Sequence, residues 1–214
     1  MSNPARIYVV RHGQSTFNTG QTREDLDSKL TELGKKQSEN LGMKFKNIDF
    51  AAIFSSELVR TKETAEIINQ DRNLEVQENK DINERGFYHY AIHVKREEVD
   101  LEEEIMNEML ILNEEKKMKY KHTPDMESAE EGAKRLLNFL QEVGRKYRNK
   151  NVLVISHTNL MRSVLTFLEY AKYDELPAGS VKNTGYFVLE TDGEDFSVVE
   201  THDIEKQKDA IRIW

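Results

Sequence analysis

The chain has 214 residues, a formal net charge of −8 and no cysteine. A chain of this length fits one domain with a substantial core, and the lack of cysteine excludes disulfides, zinc thiolate sites and thiol nucleophiles. The negative charge argues against a general nucleic-acid or anionic-membrane binder, because such binding needs a basic surface.

Short apolar runs alternate with helical patterns along the chain. Runs rich in β-branched residues predict buried strands at residues 6–10, 51–54 and 152–155. Apolar spacings of three and four residues predict helices at 33–45, 60–68 and 129–147. Because strand and helix alternate, we predict an α/β fold, namely a three-layer α/β/α sandwich with a mostly parallel central sheet.

Two local patterns refine this prediction in the second half of the chain. Ser128 and Glu131, three residues apart, form the pattern of a capping box at the start of the 129–147 helix. Residues 186–189 and 196–199 flank an Asp-Gly turn and predict a closing hairpin.

An acidic segment stands apart from the alternating pattern. Residues 97–121 predict one amphipathic helix with Ile105, Met109 and Leu112 facing inward, and with acidic and lysine-rich ends that suit the helix dipole. We therefore expect one domain over residues 1–214 with an insertion at approximately 88–128. The insertion is interpreted either as a solvated helix surface or as a lid that screens substrates.

Polar residues follow three of the predicted strands. Arg11 and His12 follow the first strand, residues 55–61 (SSELVRT) follow the second, and Ser156 and His157 follow the third. Ligands of open α/β sheets bind outside the carboxyl ends of the strands. The sequence therefore predicts that two arginines and two histidines meet at one rim of the sheet.

These residue types suit a phosphate group. Arg11 and Arg60 can each donate paired hydrogen bonds to a dianion, and Ser55 and Ser56 precede a helix whose first amides favour anions. A His12 placed between cations would have its charged form disfavoured and would keep a neutral nitrogen for attack on phosphorus. That attack requires the other ring N–H to be held by an acceptor such as a backbone carbonyl.

Ordered motifs along the chain resemble those of the histidine phosphatase superfamily, the phosphoglycerate mutase-like fold. RHGQSTFN is similar to the family signature, and SSELVRTKETA is similar to its second arginine motif. Further similarity lies in LTELGKKQ, NERGFY, ESAEEGAKR and VLVISH, at residues 30–37, 83–88, 127–135 and 152–157. The resemblance implies a phosphoric monoester hydrolase that needs no cofactor.

The resemblance also implies roles at matching positions. His12 would be the nucleophile that forms a phosphohistidine, with Arg11, Arg60 and His157 holding the phosphoryl oxygens. Asn18 matches a phosphate-contacting asparagine. Glu84 matches the proton donor, and as an acid it must be kept protonated by burial or by nearby carboxylates.

Residue 158 departs from the family pattern. Members usually carry glycine after the second histidine, whereas this chain has Thr158. A β-branched residue there could crowd the pocket, while its hydroxyl could cap the following helix or donate to the bound phosphate. We interpret the change as altered substrate fit and include Thr158 among the phosphate-binding residues.

Two other patterns suggest metals, and neither is convincing. DLDS at residues 25–28 resembles the paired aspartates of magnesium phosphatases but lacks a preceding buried strand. His89 and His93 have ligand-like spacing, but no third ligand is evident. We predict no metal requirement.

Two alternative functions stay open on the sequence. A cofactor-dependent phosphoglycerate mutase would share NERGFY, but mutases typically carry a longer insertion between Glu84 and His157. A phosphate-binding regulatory protein with little turnover is the other alternative, and Thr158 is its only sequence hint.

The expected partner is a small phosphorylated metabolite, with neither nucleic acid nor membrane. No run is long and apolar enough for a signal peptide or a membrane span, so we expect a cytoplasmic protein. The C-terminal residues 210–214 (AIRIW) could pack on the core, cover the site or join a homodimer.

Overall fold

A six-stranded sheet forms the centre of the molecule. The computed structural model describes residues 4–20, 27–86 and 101–207. The strands are β1 (Ala5–Arg11), β2 (Phe50–Ser55), β3 (Val76–Glu78), β4 (Asn151–Ser156), β5 (Val181–Thr191) and β6 (Phe196–Ile204). Their order is β3-β2-β4-β1-β5-β6. The first four strands of that order are parallel, and β5 and β6 add antiparallel pairs.

Helices cover both faces of this sheet. They are α1 (Glu32–Lys44), α2 (Val59–Asn69), α3 (Leu101–Leu110), α4 (Glu114–Lys119), α5 (Ala129–Lys146) and α6 (Thr158–Phe167). Alternate residues of β1 show the two layers, because Ile7 and Val9 pack with α5 and α6 while Tyr8 and Val10 pack with α1 and α2. A strand buried on both faces reads as a continuous apolar run, which is why the sequence revealed β1. The predicted three-layer sandwich is confirmed.

The local predictions for the second half are also confirmed. Ser128 Oγ accepts from the backbone N–H of Glu131, and the Glu131 carboxylate accepts from the backbone N–H of Ser128, which completes the capping box of α5. The hairpin is present with longer strands than expected, and Gly193 in its turn adopts a φ of +96°. A positive φ suits glycine because it has no Cβ to clash.

The prediction of one continuous helix in the acidic segment is wrong. Within residues 101–121 the structure has two helices, α3 and α4, separated by residues 111–113. Asn113 ends the continuity because its side chain accepts from the backbone N–H of Lys116 at 2.9 Å and so caps α4. Ile105 and Met109 are buried as expected, whereas Leu112 is only partly buried.

Two side-chain contacts hold α4 against the body of the domain. Buried Lys117 forms an ion pair with Asp174, and the Glu114 carboxylate accepts from the backbone N–H of Tyr173 at 2.6 Å.

Among residues 4–20, 27–86 and 101–207, no helix is long and apolar enough to cross a membrane. The predicted start of the acidic helix at residues 97–100 and the C-terminal residues 210–214 lie outside the described residues.

Candidate active site

Three strand ends meet at one rim of the sheet. β1 ends at Arg11, β2 at Ser55 and β4 at Ser156, and all three strands run parallel. The backbone N–H of His12 donates to the carbonyl oxygen of Ser156 at 3.1 Å, so the β1–β4 pairing continues into the site. The structure thus brings together the polar residues that follow these strands.

The His12 imidazole is held as a neutral ring. Its Nδ1 atom lies 2.7 Å from the Gly13 carbonyl oxygen, which can only accept, so Nδ1 carries the proton. Its Nε2 atom accepts from Arg60 Nε at 3.2 Å. The ring is 3 % exposed, and its burial, together with the positive charges of Arg60 and Arg11, holds the pKa of His12 well below its ordinary value.

A close contact between two backbones holds the loop that carries His12. A Cβ atom on Gly13 would lie 2.4 Å from the Gly34 carbonyl oxygen, and one on Gly34 would lie 2.0 Å from the Gln14 carbonyl oxygen. Only glycine allows the end of β1 to approach α1 this closely. The backbone N–H of Gly13 also donates to Thr64 Oγ1 of α2 at 3.1 Å. His12 is therefore anchored to both helices of that layer.

Arg60 joins the two histidines. One of its Nη atoms lies 3.3 Å from His157 Nδ1, and because arginine only donates, that nitrogen accepts. His157 Nε2 then donates to Ser56 Oγ at 2.8 Å. His157 is fully buried, and this burial, with the charge of Arg60, holds its pKa well below the ordinary value. Both rings are neutral beside a permanent cation.

Arg11 and Asn18 lie at the edge of the same site. An Nη atom of Arg11 donates to the Val181 carbonyl oxygen at 2.6 Å, which directs the side chain toward the start of β5. Asn18 is exposed, and its Oδ1 atom accepts from the backbone N–H of Ser15 at 3.0 Å. That bond leaves the Asn18 amide nitrogen as the donor that an anion could use.

Glu84 lies at the N-terminus of α6. Its carboxylate oxygens accept from the backbone N–H groups of Arg85 at 2.8 Å, Asn159 at 3.2 Å and Leu160 at 2.9 Å. The sequence predicted that burial or neighbouring carboxylates would keep this acid protonated. Glu84 is half-buried, and backbone N–H groups are the hydrogen-bond partners that the structure gives its carboxylate.

Thr158 is the first residue of α6, and of the two roles left open for its hydroxyl the structure does not show the capping one. His157 occupies the cap position, and its side chain forms no capping hydrogen bond. The Thr158 Oγ1 atom is buried and has no hydrogen-bond partner among the described residues. Its hydroxyl is therefore available to a ligand in the adjoining cavity.

These residues line a cavity of about 320 Å³. Its lining contains the candidate phosphate-binding residues, Glu84, and further side chains that suit an organic group. The lining residues are Arg11, His12, Phe17, Asn18, Leu58, Arg60, Asn83, Glu84, Arg85, Gly86, Thr158, Asn159, Ala178 and Gly179. All seven predicted site residues (Arg11, His12, Asn18, Arg60, Glu84, His157 and Thr158) lie at this rim, with His157 behind Arg60.

Sequence reasoning missed the role of Ser56 as the partner of His157, and it missed the cavity position of Arg85. For Arg85 a signal was available, since it follows Glu84 within NERGFY. The DLDS segment has a structural use: Asp27 accepts from the backbone N–H of Val59 at 2.7 Å, at the start of α2. No group of three potential metal ligands occurs in the described part of the chain, and His89 and His93 lie outside it.

Comparison with known proteins agrees with this geometry. A model of the histidine phosphatase superfamily (branch 1) matches residues 7–204. The chain belongs to the histidine phosphatase superfamily. A protein of Bacillus subtilis (strain 168) named "Uncharacterized phosphatase PhoE" is 31 % identical over 161 residues, which cover 75 % of each chain.

Two further matches extend over more of the chain. "Phosphoserine phosphatase 1" of Hydrogenobacter thermophilus is 28 % identical over 199 residues and covers 86 % of this chain and 85 % of its own. The solved structure of Bacillus stearothermophilus YhfR has a TM-score of 0.74 at 22 % identity, with coverage of 91 % and 95 %, and this likeness shows the fold. The predicted family and the predicted enzyme class, a histidine phosphatase, are confirmed.

Proposed function

We propose that this histidine phosphatase hydrolyses the phosphomonoester of a small metabolite, without a metal, through a phosphohistidine on His12. The observation that carries the proposal is the state of the His12 ring. Its Nδ1–H is bound to the Gly13 carbonyl, so the lone pair lies on Nε2, next to two arginines and a cavity. A neutral, oriented imidazole nitrogen is what in-line attack on phosphorus requires.

Substrate binding would free this nitrogen. Arg60 Nε donates to His12 Nε2 at 3.2 Å. A phosphate dianion is a far stronger acceptor for a guanidinium than a neutral ring nitrogen is. Arg60 and Arg11 would therefore form hydrogen bonds to the phosphoryl oxygens, and Asn18, Thr158 and His157 would supply further contacts. The lone pair on His12 Nε2 would then point at phosphorus.

The reaction then proceeds in two balanced steps. His12 Nε2 forms a bond to phosphorus while the ester P–O bond breaks, and the leaving oxygen takes a proton from Glu84. A water molecule next gives a proton to the Glu84 carboxylate and attacks phosphorus, and the P–N bond breaks to release phosphate and neutral His12. The backbone N–H groups of Asn159 and Leu160 fix the position of the Glu84 carboxyl group at the cavity.

The cavity also bears on the substrate class. About 320 Å³ exceeds what a phosphate group needs, and Phe17, Leu58 and Ala178 add apolar lining beside Asn83 and Arg85. This lining supports a small organic leaving group with polar atoms, in agreement with the small phosphorylated substrate expected from the sequence.

The test uses purified protein with p-nitrophenyl phosphate and with 3-phosphoglycerate, each with and without EDTA. We expect turnover unaffected by EDTA, an acid-labile phosphoprotein after alkaline quench, and a loss of about 10⁴-fold or more in His12→Ala, the scale for removal of a nucleophile. Turnover that persists in His12→Ala, or that stops with EDTA, contradicts the proposal. Formation of 2-phosphoglycerate would favour the mutase alternative, and phosphate binding without turnover would favour the regulatory one.

A further inference from the structure

The segment that carries Glu84 has little regular structure of its own. It follows a single 3-10 turn, Lys80–Ile82, and its residues 83–86 belong to no helix or strand. Ile82 is fully buried and anchors the first part of the segment in the core. Beyond Ile82 the backbone needs other partners, because loop carbonyls and N–H groups left without partners are costly when buried.

Arg135 of α5 supplies partners for two of these carbonyls. One Nη atom donates to the Asp81 carbonyl oxygen at 2.7 Å, and the other donates to the Asn83 carbonyl oxygen at 3.1 Å. The guanidinium therefore bonds to the segment on both sides of Ile82, immediately before Glu84. Hydrogen bonds from a cation to carbonyl oxygens are stronger than those between neutral groups.

Glu127 completes the attachment on the other side of Glu84. Its carboxylate accepts from Arg135 Nε at 2.7 Å and from an Nη atom at 2.9 Å, which is a two-point ion pair. The same carboxylate accepts from the backbone N–H of Gly86 at 3.3 Å. Glu127 and Arg135 together hold the residue before Glu84 and the second residue after it.

The support behind this pair is rigid. Glu127 directly precedes the capping box of α5, and Arg135 lies in the second turn of a helix whose inner side is buried in the core. Both side chains are only 23 % exposed, so their attraction is less screened by solvent than that of a surface pair. The side chains of Glu127 and Arg135, and not a strand of the sheet, therefore fix the position of Glu84 relative to α5.

We propose that Glu127 and Arg135 are positioning residues that hold the segment 81–86 so that the Glu84 carboxyl group reaches the leaving-group oxygen. The proposal rests on the proposed function, in which Glu84 is the proton donor. Proton transfer demands hydrogen-bond distance, and an error of about 1 Å in the placement of a catalytic group can cost up to about 100-fold in rate.

The experiment compares Arg135→Met with Arg145→Met on an alkyl phosphate and on p-nitrophenyl phosphate. Arg145 is the matched control, since it lies on the same helix and pairs with Glu194, away from the cavity. We expect Arg135→Met to lower kcat on the alkyl phosphate by about 10- to 100-fold with KM changed by less than about twofold, because placement of the acid affects the chemical step. On p-nitrophenyl phosphate the loss should be several times smaller, and Arg135→Lys, which keeps the charge, should recover part of the activity.

A double-mutant cycle with Glu84→Gln separates this role from a general structural one. If Arg135 acts through Glu84, Arg135→Met should cause no further loss of kcat in the Glu84→Gln background. An equal loss in both backgrounds, or a loss that is the same for both substrates, overturns the positioning role and leaves the proposed function intact. If Glu84→Gln alone leaves alkyl phosphate turnover unchanged, the acid assignment fails, and the role of the pair fails with it. Should Arg135→Met not fold by circular dichroism, Arg135→Lys carries the same cycle.

Discussion

His12 and His157 follow the inner strands β1 and β4 and are almost completely buried, whereas Glu84 lies on an irregular segment and is half-buried. The end of the site that is proposed to bind phosphate, here called the phosphate end, is held by the sheet: a backbone hydrogen bond joins His12 to Ser156, and Gly13 packs directly on α1. The end around Glu84, here called the leaving-group end because Glu84 is the proposed proton donor, is held by backbone N–H groups of α6 and by the Glu127–Arg135 pair.

This difference separates two tasks of the enzyme. Phosphate is the same in every substrate, so the groups that bind and attack it can belong to the rigid core. The leaving group differs among substrates, and the residues near it lie on a segment that side chains attach to the core. Substitutions at the two ends should therefore differ in their dependence on the leaving group.

The largest such difference is expected for Glu84→Gln. Without a proton donor, kcat on an alkyl phosphate should fall by about 100- to 10,000-fold, the usual range for a general acid. The loss on p-nitrophenyl phosphate should be much smaller, because p-nitrophenolate leaves without a proton. Steady-state kinetics with both substrates measure the ratio.

The matched control for this prediction is Glu57→Gln. Glu57 is an exposed carboxylate next to the same segment, where it accepts from the Asn83 amide at 2.8 Å, a bond that glutamine can keep. It should retain wild-type rates on both substrates. Equal losses in Glu84→Gln on the two substrates would exclude the acid role and would indicate that glutamine merely repels the backbone donors of Asn159 and Leu160.

The sequence predicted the phosphate end far better than the leaving-group end. A fully buried strand leaves a recognisable apolar run, and the residues after parallel strands must meet at one edge, so His12 and His157 could be brought together without a structure. Two of the three partners of Glu84 are 75 and 76 residues away along the chain, and all three are backbone groups, which carry no residue type to recognise. Motif similarity identified Glu84 itself but not its environment.

One further error, and one open alternative that the structure decides against, have the same origin, because both were judged from the local sequence alone. The apolar spacing of the acidic segment continues past Asn113, so periodicity alone predicted one helix, although the Asn113 side chain caps a new one. Threonine is a residue type that often caps helices, but the helix begins one residue earlier than a capping role for Thr158 requires, with His157 at the cap position. Both outcomes depend on the residue at which a helix begins, and side-chain patterns locate that residue only to within about one or two positions.

The two histidines of the phosphate end should make the stability of the folded protein depend on pH. Burial, followed by the arginine charges, holds the pKa values of His12 and His157 well below the ordinary 6.5. Below pH 6.5 the unfolded chain therefore takes up protons that the folded chain does not, and the folded state loses stability as the pH falls. Each histidine contributes a slope of up to about 1.4 kcal/mol per pH unit, or about tenfold in the folding constant.

Urea denaturation between about pH 7.5 and 5.5 measures this slope. His12→Asn should make the loss of stability with falling pH shallower, because one buried imidazole no longer distinguishes the folded from the unfolded chain. An unchanged slope in His12→Asn would show that other groups cause the pH dependence.

The smallest expected effect lies at Thr158, where this chain departs from its family. The Thr158 hydroxyl is buried without a partner among the described residues, so Thr158→Val should leave the free energy of unfolding unchanged or raise it by about 1 kcal/mol. If the hydroxyl donates to phosphate, the same substitution should lower kcat/KM about 10-fold, the lower end for a hydrogen bond to a charged group. The loss should be equal for alkyl and p-nitrophenyl phosphates, because both present the same phosphoryl oxygens.

Thr123→Val is the matched control for that substitution. Its hydroxyl is also buried without a partner in the described part of the chain, but it lies outside the cavity lining, so a similar change in stability should accompany unchanged kinetics. Thr158→Gly removes the β-carbon as well as the hydroxyl. If Thr158→Gly loses as much kcat/KM as Thr158→Val, the effect belongs to the hydroxyl. If Thr158→Val keeps wild-type kinetics and Thr158→Gly alters them, the effect belongs to the shape of the side chain. In that second case Thr158 would act on the leaving group, and the loss should differ between the two substrates.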